Sequence, residues 1–291
     1  MAEIIKYAQM ALFADEKPDP LGYFYNGKYA PSPITKDLPL MDLRVALAIA
    51  AGYLVVTWLL MKFMENRKPY DLYGLRLIHN IILVVVSLGL CVGIVKEAWD
   101  RNYTLFCNTM SANPKNDVPM SMLIYIFYVS KVYEFMDTFI MALRKKNAQI
   151  SFLHVYHHAT IFLIWWMNVY YYPAGDAYFA PAFNTFIHVM MYSYYLLATF
   201  NIPCPWKSLI TKFQLLQFVS FVVQGYTELT SDKCVKLDIY EMSLFNTIYA
   251  FSLFLLFADF YVRTYILKPH QPRTTGAAPK KGGANKKNKA Q

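Results

Sequence analysis

Uncharged apolar stretches recur along this chain, and no other feature limits its fold as tightly. They run over residues 45–61, 77–95, 118–130 with an amphipathic continuation to 143, 149–172, 177–200, 213–227 and 242–257. Several approach or exceed the ~17–20 residues needed to cross about 30 Å of hydrocarbon, and the others extend into amphipathic ends. A helix satisfies its own backbone polar groups, which lipid cannot. The expectation is therefore an all-α polytopic membrane protein with seven transmembrane helices. Composition agrees: 56% of residues are apolar and only 16% charged, against about a quarter charged in an ordinary soluble domain. The first 40 residues lack the charged start and compact apolar core of a cleavable signal peptide, so the first span is expected to act as the insertion signal.

A formal charge of +9 raises the question of a polyanionic partner, and its location answers it. Seven of the basic residues (Lys268, Arg273, Lys280, Lys281, Lys286, Lys287 and Lys289) lie in the last 24 positions, with no acidic residue among them. The body is nearly neutral, so no nucleic-acid partner is expected, and 268–291 reads as a disordered basic tail. Around it the chain divides into an N-terminal segment, 1–40, and a membrane domain, 41–267. The loops alternate in basic content. One set carries Lys62, Arg67, Lys68, Arg76, Arg144, Lys145, Lys146, Lys207 and Lys212, and the other only Lys96, Arg101, Lys115, Lys233 and Lys236. By the positive-inside rule this places the N-terminus in the lumen and the C-terminus in the cytosol. Lys287 and Lys289, fifth and third from the end, resemble a dilysine endoplasmic-reticulum retrieval signal, which works only in the cytosol.

That topology puts Cys107 and Cys234 in lumenal loops, an oxidising compartment, whereas Cys91 lies in a span and Cys204 in a cytosolic loop. A Cys107–Cys234 disulfide is predicted. Asn102-Tyr103-Thr104 is a glycosylation sequon close to the second span.

Ionisable side chains inside a span are expensive and so mark function. The third span carries Lys131, Glu134, Asp137 and Thr138; spacings of three and four place Lys131, Glu134 and Thr138 on one stripe with Asp137 beside it. The fourth carries His154, His157 and His158, three of the chain's six histidines within five residues. The fifth places Asn184 and His188 one turn apart, with Met191, Tyr192 and Tyr195 continuing the face. His79 reads as a helix-end histidine, and His270 lies in the tail.

Two chemistries suit this set. The histidines could ligate metal, as in membrane oxygenases and desaturases, although a di-iron centre needs more boxes than this chain has; one ion on His154, His157, His158 and a carboxylate stays open. Alternatively imidazole acts on thioesters, forming an acyl-imidazole that passes its acyl group on, while neighbours move protons and steady an enolate. A receptor or transporter with a structural histidine cluster is a third reading.

Lys131-x-x-Glu134-x-x-Asp137-Thr138, His154-x-x-His157-His158, Asn184-x-x-x-His188-x-x-Met191-Tyr192-x-Tyr194-Tyr195 and Thr211-x-x-Gln214-x-x-Gln217-Phe218 resemble, in order and spacing, four signatures of the ELO-type very-long-chain fatty acid elongases of the endoplasmic reticulum. The resemblance covers roughly residues 40 to 268. It implies a 3-ketoacyl-CoA synthase, an acyltransferase that joins acyl-CoA to malonyl-CoA and releases carbon dioxide and CoA. It implies six of seven helices in an inverted barrel around an acyl tunnel, no cofactor beyond the two CoA substrates, and no metal. His157 is the implied nucleophile, with His154, His158 and His188 catalytic and Lys131, Glu134, Asp137, Asn184, Tyr192 and Gln214 supporting. Arg144, Lys145, Lys146, Lys207 and Lys212 are expected to attract CoA phosphates. Membrane lipid, a homodimer partner, and the ketoacyl reductase, dehydratase and enoyl reductase of the elongation cycle are the other expected partners. Gln149, the run 152–159 and Ile164-Trp165-Trp166 look more like elongases of polyunsaturated chains than of saturated ones.

Overall fold

Helices form where the apolar stretches predict them, and capping residues set their ends. The computed structural model describes residues 30–235 and 240–267. Among these, seven long helices follow in order: α1 Leu43–Met64, α2 Tyr73–Asp100, α3 Pro114–Leu143, α4 Phe152–Tyr171, α5 Phe179–Thr199, α6 Lys207–Thr230 and α7 Tyr240–Tyr261. A π-helical turn, Val262–Ile266, extends α7, a single turn of helix spans Asp232–Val235, and no strand occurs among the described residues. Asp42 caps α1 by accepting from the Arg44 amide, and Asn113 caps α3 by accepting from Lys115, with Pro114 next. Ser151 caps α4 by accepting from His154. Each cap satisfies an amide that has no partner inside its helix.

Helix ends depart from the apolar stretches by a few residues, and two of these departures touch expected site residues. Hydropathy starts the fourth span at Gln149, but Gln149 lies in a separate 3-10 turn, Asn147–Gln149, and the helix begins after the Ser151 cap. It starts the sixth at residue 213, but α6 begins at Lys207, so Lys207 and Lys212 stand on the helix rather than in a loop. The physical reason is common to both. Hydropathy marks where hydrocarbon would end, whereas backbone hydrogen bonding continues until a cap or turn stops it.

By length and composition, Leu43–Met64, Tyr73–Asp100 and Tyr240–Ile266 are apolar enough to cross a membrane. Their outer faces are open and apolar, with Trp58, Ile78, Val85, Val92, Trp99 and Ile248 all exposed. Such a surface is a liability in water and suits lipid. Helix α2 packs on α3 and α5, α3 on α4, α4 on α7, α7 on α6, and α6 on α5; α1 lies against α3 and α4. Six helices thus follow one another around a closed circuit, with α1 outside it.

The core beneath α1 is aromatic. Tyr53 stacks on Phe135 with ring centroids 4.3 Å apart, and Tyr128 on Phe162 at 5.0 Å. The segment before α1, assigned from sequence to the N-terminal region, is part of this body from residue 30. The Ser32 amide donates to Tyr170 O, the Thr35 hydroxyl to Val169 O, and the Trp166 indole to Met41 O.

Away from the histidines, the ends of α2, α3, α6 and α7 are tied together. Cys107 and Cys234 are joined by a disulfide with Cα atoms 4.8 Å apart. The Asp176 carboxylate accepts from the amides of Cys107 and Asn108, both at 2.6 Å, and from the Asn108 side chain at 2.8 Å. Burial pushes the Asp176 carboxyl above its usual range, and the hydrogen bonds from Asn108 and Cys107 oppose this. Gly175 makes the approach possible: its φ is +60°, and a Cβ there would lie 2.7 Å from Asn108 O. Cys91 and Cys204 are free. Denatured, unreduced protein should therefore take up two equivalents of a thiol reagent and four after reduction, read by intact mass. Closing a span of 127 residues, the bridge should also contribute about 2–5 kcal/mol, lost in Cys107→Ser and read by thermal unfolding in detergent.

Candidate functional site

Helix α3 supplies the charged centre because its stripe of Lys131, Glu134 and Thr138 turns inward. Lys131 Nζ donates to Glu134 Oε1 at 2.8 Å and to Asn184 Oδ1 at 3.2 Å, and lies 4.1 Å from the Phe127 ring centroid. Both ions of the pair are only 2% exposed, so each depends on the other. Glu134 Oε1 also lies 3.3 Å from His188 Nδ1, which fixes the orientation of that imidazole. One turn further, Asp137 accepts the Tyr192 hydroxyl at 2.7 Å, and its other oxygen lies 3.0 Å from His79 Nε2. Thr138 Oγ1 contacts His154 Nε2 at 2.8 Å and the Tyr53 hydroxyl at 3.0 Å.

The three histidines near the start of α4 have different surroundings. His154 is engaged by Thr138. His158 is buried among Tyr53, Phe135 and His154, and its Nδ1 has no partner. His157 is partly exposed to two cavities, and among the described residues neither ring nitrogen has a hydrogen-bond partner.

Those cavities differ in character. One, of about 360 Å³, is lined by His154, His157, His158, His188, Glu134, Asp137, Tyr192 and Lys207 among others. The second, about 110 Å³, runs from His157 past Ile161, Ile164, Trp165, Phe221 and Leu253 to Asp176 and Glu228. The first has the size of an ordinary ligand pocket, about 300–1,000 Å³, and the second is a narrower, mostly apolar slot. They share His157, Asn184, Gln217 and Phe218 as walls. At the shared wall the Asn184 amide donates to Gln217 Oε1 at 3.3 Å. Across the slot Asn168 and Asn246 exchange two hydrogen bonds, of 3.1 and 2.8 Å. At its far end Glu228 accepts from Gln224 at 2.7 Å and from Ser243 at 2.6 Å.

The predicted site residues are therefore gathered unevenly. Lys131, Glu134, Asp137, His154, His157, His158, Asn184, His188 and Tyr192 lie in or against the larger cavity. Gln214 lines it too, but Gln217, one turn along the same signature, makes the hydrogen bond to Asn184. Of the five basic residues expected to attract CoA phosphates, only Lys207 lines the cavity, with its Nζ 5.3 Å from the Tyr194 ring. Lys145 is committed elsewhere, donating to the carbonyls of Glu65 and Arg67 beyond the end of α1. Arg144 caps α3, while Lys146 and Lys212 lie outside the cavity walls. Lys287 and Lys289 lie outside the described residues.

His79 reads from sequence as a helix-end residue, and the structure buries it against Asp137. No local signal could have shown this, because the partner lies 58 residues away on another helix. Among the described residues no three His, Cys, Asp or Glu side chains converge as a metal site. The arrangement instead offers an unpartnered imidazole between a polar chamber and an apolar slot, backed by oriented imidazole and amide groups.

Comparison with known proteins adds independent findings. The model of the GNS1/SUR4 (ELO) family matches residues 38–273. Very long chain fatty acid elongase 5 of Rattus norvegicus is 38% identical over 221 residues, covering 74% of this chain and 72% of the relative. Very long chain fatty acid elongase 2 of the same species is 36% identical over 220 residues, covering 75% and 78%. The elongase 5 of Tachysurus fulvidraco is 37% identical over 242 residues, covering 80% and 81%.

The charged centre makes its own prediction. Lys131→Met leaves Glu134 buried without its cation and should cost about 3–5 kcal/mol, whereas adding Glu134→Gln should restore much of the loss. Thermal unfolding of the single and double variants in one detergent distinguishes this coupling from simple additivity.

Proposed function

This chain belongs to the GNS1/SUR4 family and catalyses the condensing step of fatty acid elongation, and we propose that it does so by passing the acyl group through His157. The observation that carries this mechanism is the place of His157, the box histidine whose ring faces both chambers and whose nitrogens are unengaged. The substrates of the proposed reaction are acyl-CoA and malonyl-CoA. With the acyl chain in the slot, its thioester lies at the shared wall. A ring nitrogen of His157 attacks the carbonyl; the new C–N bond forms as the C–S bond breaks, and the CoA thiolate leaves and takes the proton given up by the other ring nitrogen. Malonyl-CoA then enters the larger chamber and loses carbon dioxide. Its C2 attacks the acyl carbon as the C–N bond breaks, which gives 3-ketoacyl-CoA, and the released ring takes up one proton from solvent to restore the neutral imidazole.

The other residues take roles their contacts support. Glu134 accepts from the Nδ1–H of His188, which leaves Nε2 as an acceptor facing the chamber, placed to position substrate. His154, fixed by Thr138, and His158 orient His157 and relay protons. Lys207 offers a charge to a CoA phosphate at the chamber wall.

Setting and substrate belong to the same proposal. All seven long helices span the endoplasmic-reticulum membrane, with α2 to α7 as a barrel around the slot. The N-terminus is lumenal and the C-terminus cytosolic. A disulfide at the end away from the histidines suits the oxidising side. The acyl chain is polyunsaturated: Trp165, Phe218 and Phe221 and the Asn168–Asn246 amides line the slot, a wall suited to polarisable double bonds. The 3-keto product requires reduction, dehydration and a second reduction, so the enzymes of those steps are the natural neighbours. No cofactor is required.

Incubating purified protein with a polyunsaturated acyl-CoA and no malonyl-CoA should add one acyl mass, localised to His157 by peptide analysis. His157→Ala should lose about a thousandfold or more in turnover. Absence of any acyl adduct would favour direct attack of the enolate on bound thioester, and activity lost to a chelator would revive the metal reading.

A further inference from the structure

One buried imidazole has no part in the chemistry above. His79, in the second turn of α2, is 2% exposed; its Nε2 lies 3.0 Å from Asp137 Oδ1, and its Nδ1 has no partner. A carboxylate can only accept, so Nε2 is the nitrogen that carries the proton. The second oxygen of Asp137 accepts the Tyr192 hydroxyl at 2.7 Å. Tyr192 in turn stands edge-on to His188, with ring centroids 5.5 Å apart. Helices α2, α3 and α5 therefore meet at one carboxylate that also lines the chamber holding the catalytic histidines.

We propose that His79 is a positioning residue for the condensation: its Nε2–H fixes the Asp137 carboxylate, and through it the Tyr192 hydroxyl and the ring that confines His188. The physical reason is donor count. His79 supplies the donor to Asp137 Oδ1 on the packed α2 side, and a carboxylate oxygen that loses its donor there keeps its desolvation cost. Without the His79 donor, Asp137 turns about its χ angles toward the chamber, and its bond to Tyr192 is strained or broken. His188, which Glu134 holds only at Nδ1, then loses the face that limits its tilt. The tyrosine ring of Tyr133, 5.2 Å from His79, fills the remaining side without offering another donor to Asp137.

This inference rests on the larger chamber being the site of condensation, a reading that fails separately if His157→Ala keeps wild-type turnover. Three substitutions test His79 itself. Glutamine presents an amide N–H near the place of Nε2; asparagine carries the same amide one methylene short; phenylalanine fills the ring's space with no donor. In purified protein assayed with acyl-CoA and malonyl-CoA, His79→Gln should keep kcat within about threefold of wild type. His79→Asn and His79→Phe should each lower it about 10- to 100-fold, the value of a buried hydrogen bond to a charged group, with KM for both substrates little changed. A packing role would give the reverse order, with phenylalanine tolerated. The glutamine–asparagine pair decides the matter even if the phenylalanine variant does not fold. Equal kcat for those two, whether both high or both low, overturns the proposal.

Discussion

Burying a lysine and two carboxylates within one helix of an apolar bundle is the constraint on which the rest of this structure depends. None of the three can be left to water, so each is answered from another helix. Lys131 reaches Asn184 on α5, Glu134 reaches His188 on α5, and Asp137 takes Tyr192 from α5 and His79 from α2. Thr138 adds Tyr53 from α1 and His154 from α4. Helix α3 is thus the hub, and each polar contact that neutralises or satisfies it also fixes the position of a neighbour. Removing a single partner leaves an uncompensated group, which is why such networks lock geometry more than they add net stability.

How much of this is legible in the sequence depends on distance along the chain. The helices are legible because apolar runs of about 20 residues have few other uses. The stripe of Lys131, Glu134 and Thr138 is legible because helical spacing is local, and the Lys131–Glu134 contact at 2.8 Å follows from it. Helix ends are less so. The Ser151 cap displaces the expected start of α4, and Lys207 and Lys212 join a helix where a loop is expected, since a charge ends an apolar run without ending a helix.

Contacts between helices are illegible for a different reason. Nothing near His79 distinguishes it from a residue at a membrane edge, and only the packing of α2 on α3 brings it to Asp137. Gln217 and Gln214 share a signature and one helical face, so spacing alone does not say which meets Asn184. The basic rim is easily over-read. Charge placement by topology and charge placement for ligand binding look the same in a sequence, and Lys145, which serves the carbonyls of Glu65 and Arg67, shows that a third use exists.

The two chambers bear on why the proposed covalent transfer would suit this architecture. The slot beyond His157 is narrow, about 110 Å³, and mostly apolar, so the methylenes of an acyl chain would be buried against its wall. A route in which the chain left with its CoA between steps would lose and regain that burial in every cycle. On the proposed route the chain would be held on His157 while the first CoA departs, and the larger chamber would need to accommodate one CoA arm at a time. The far end of the slot is hydrogen-bonded, with Asp176 bracing the Cys107 loop and Glu228 held by Gln224 and Ser243. The proposed covalent intermediate at the junction and the braced far wall would thus act together, since both keep the chain in one place between the two halves of the reaction.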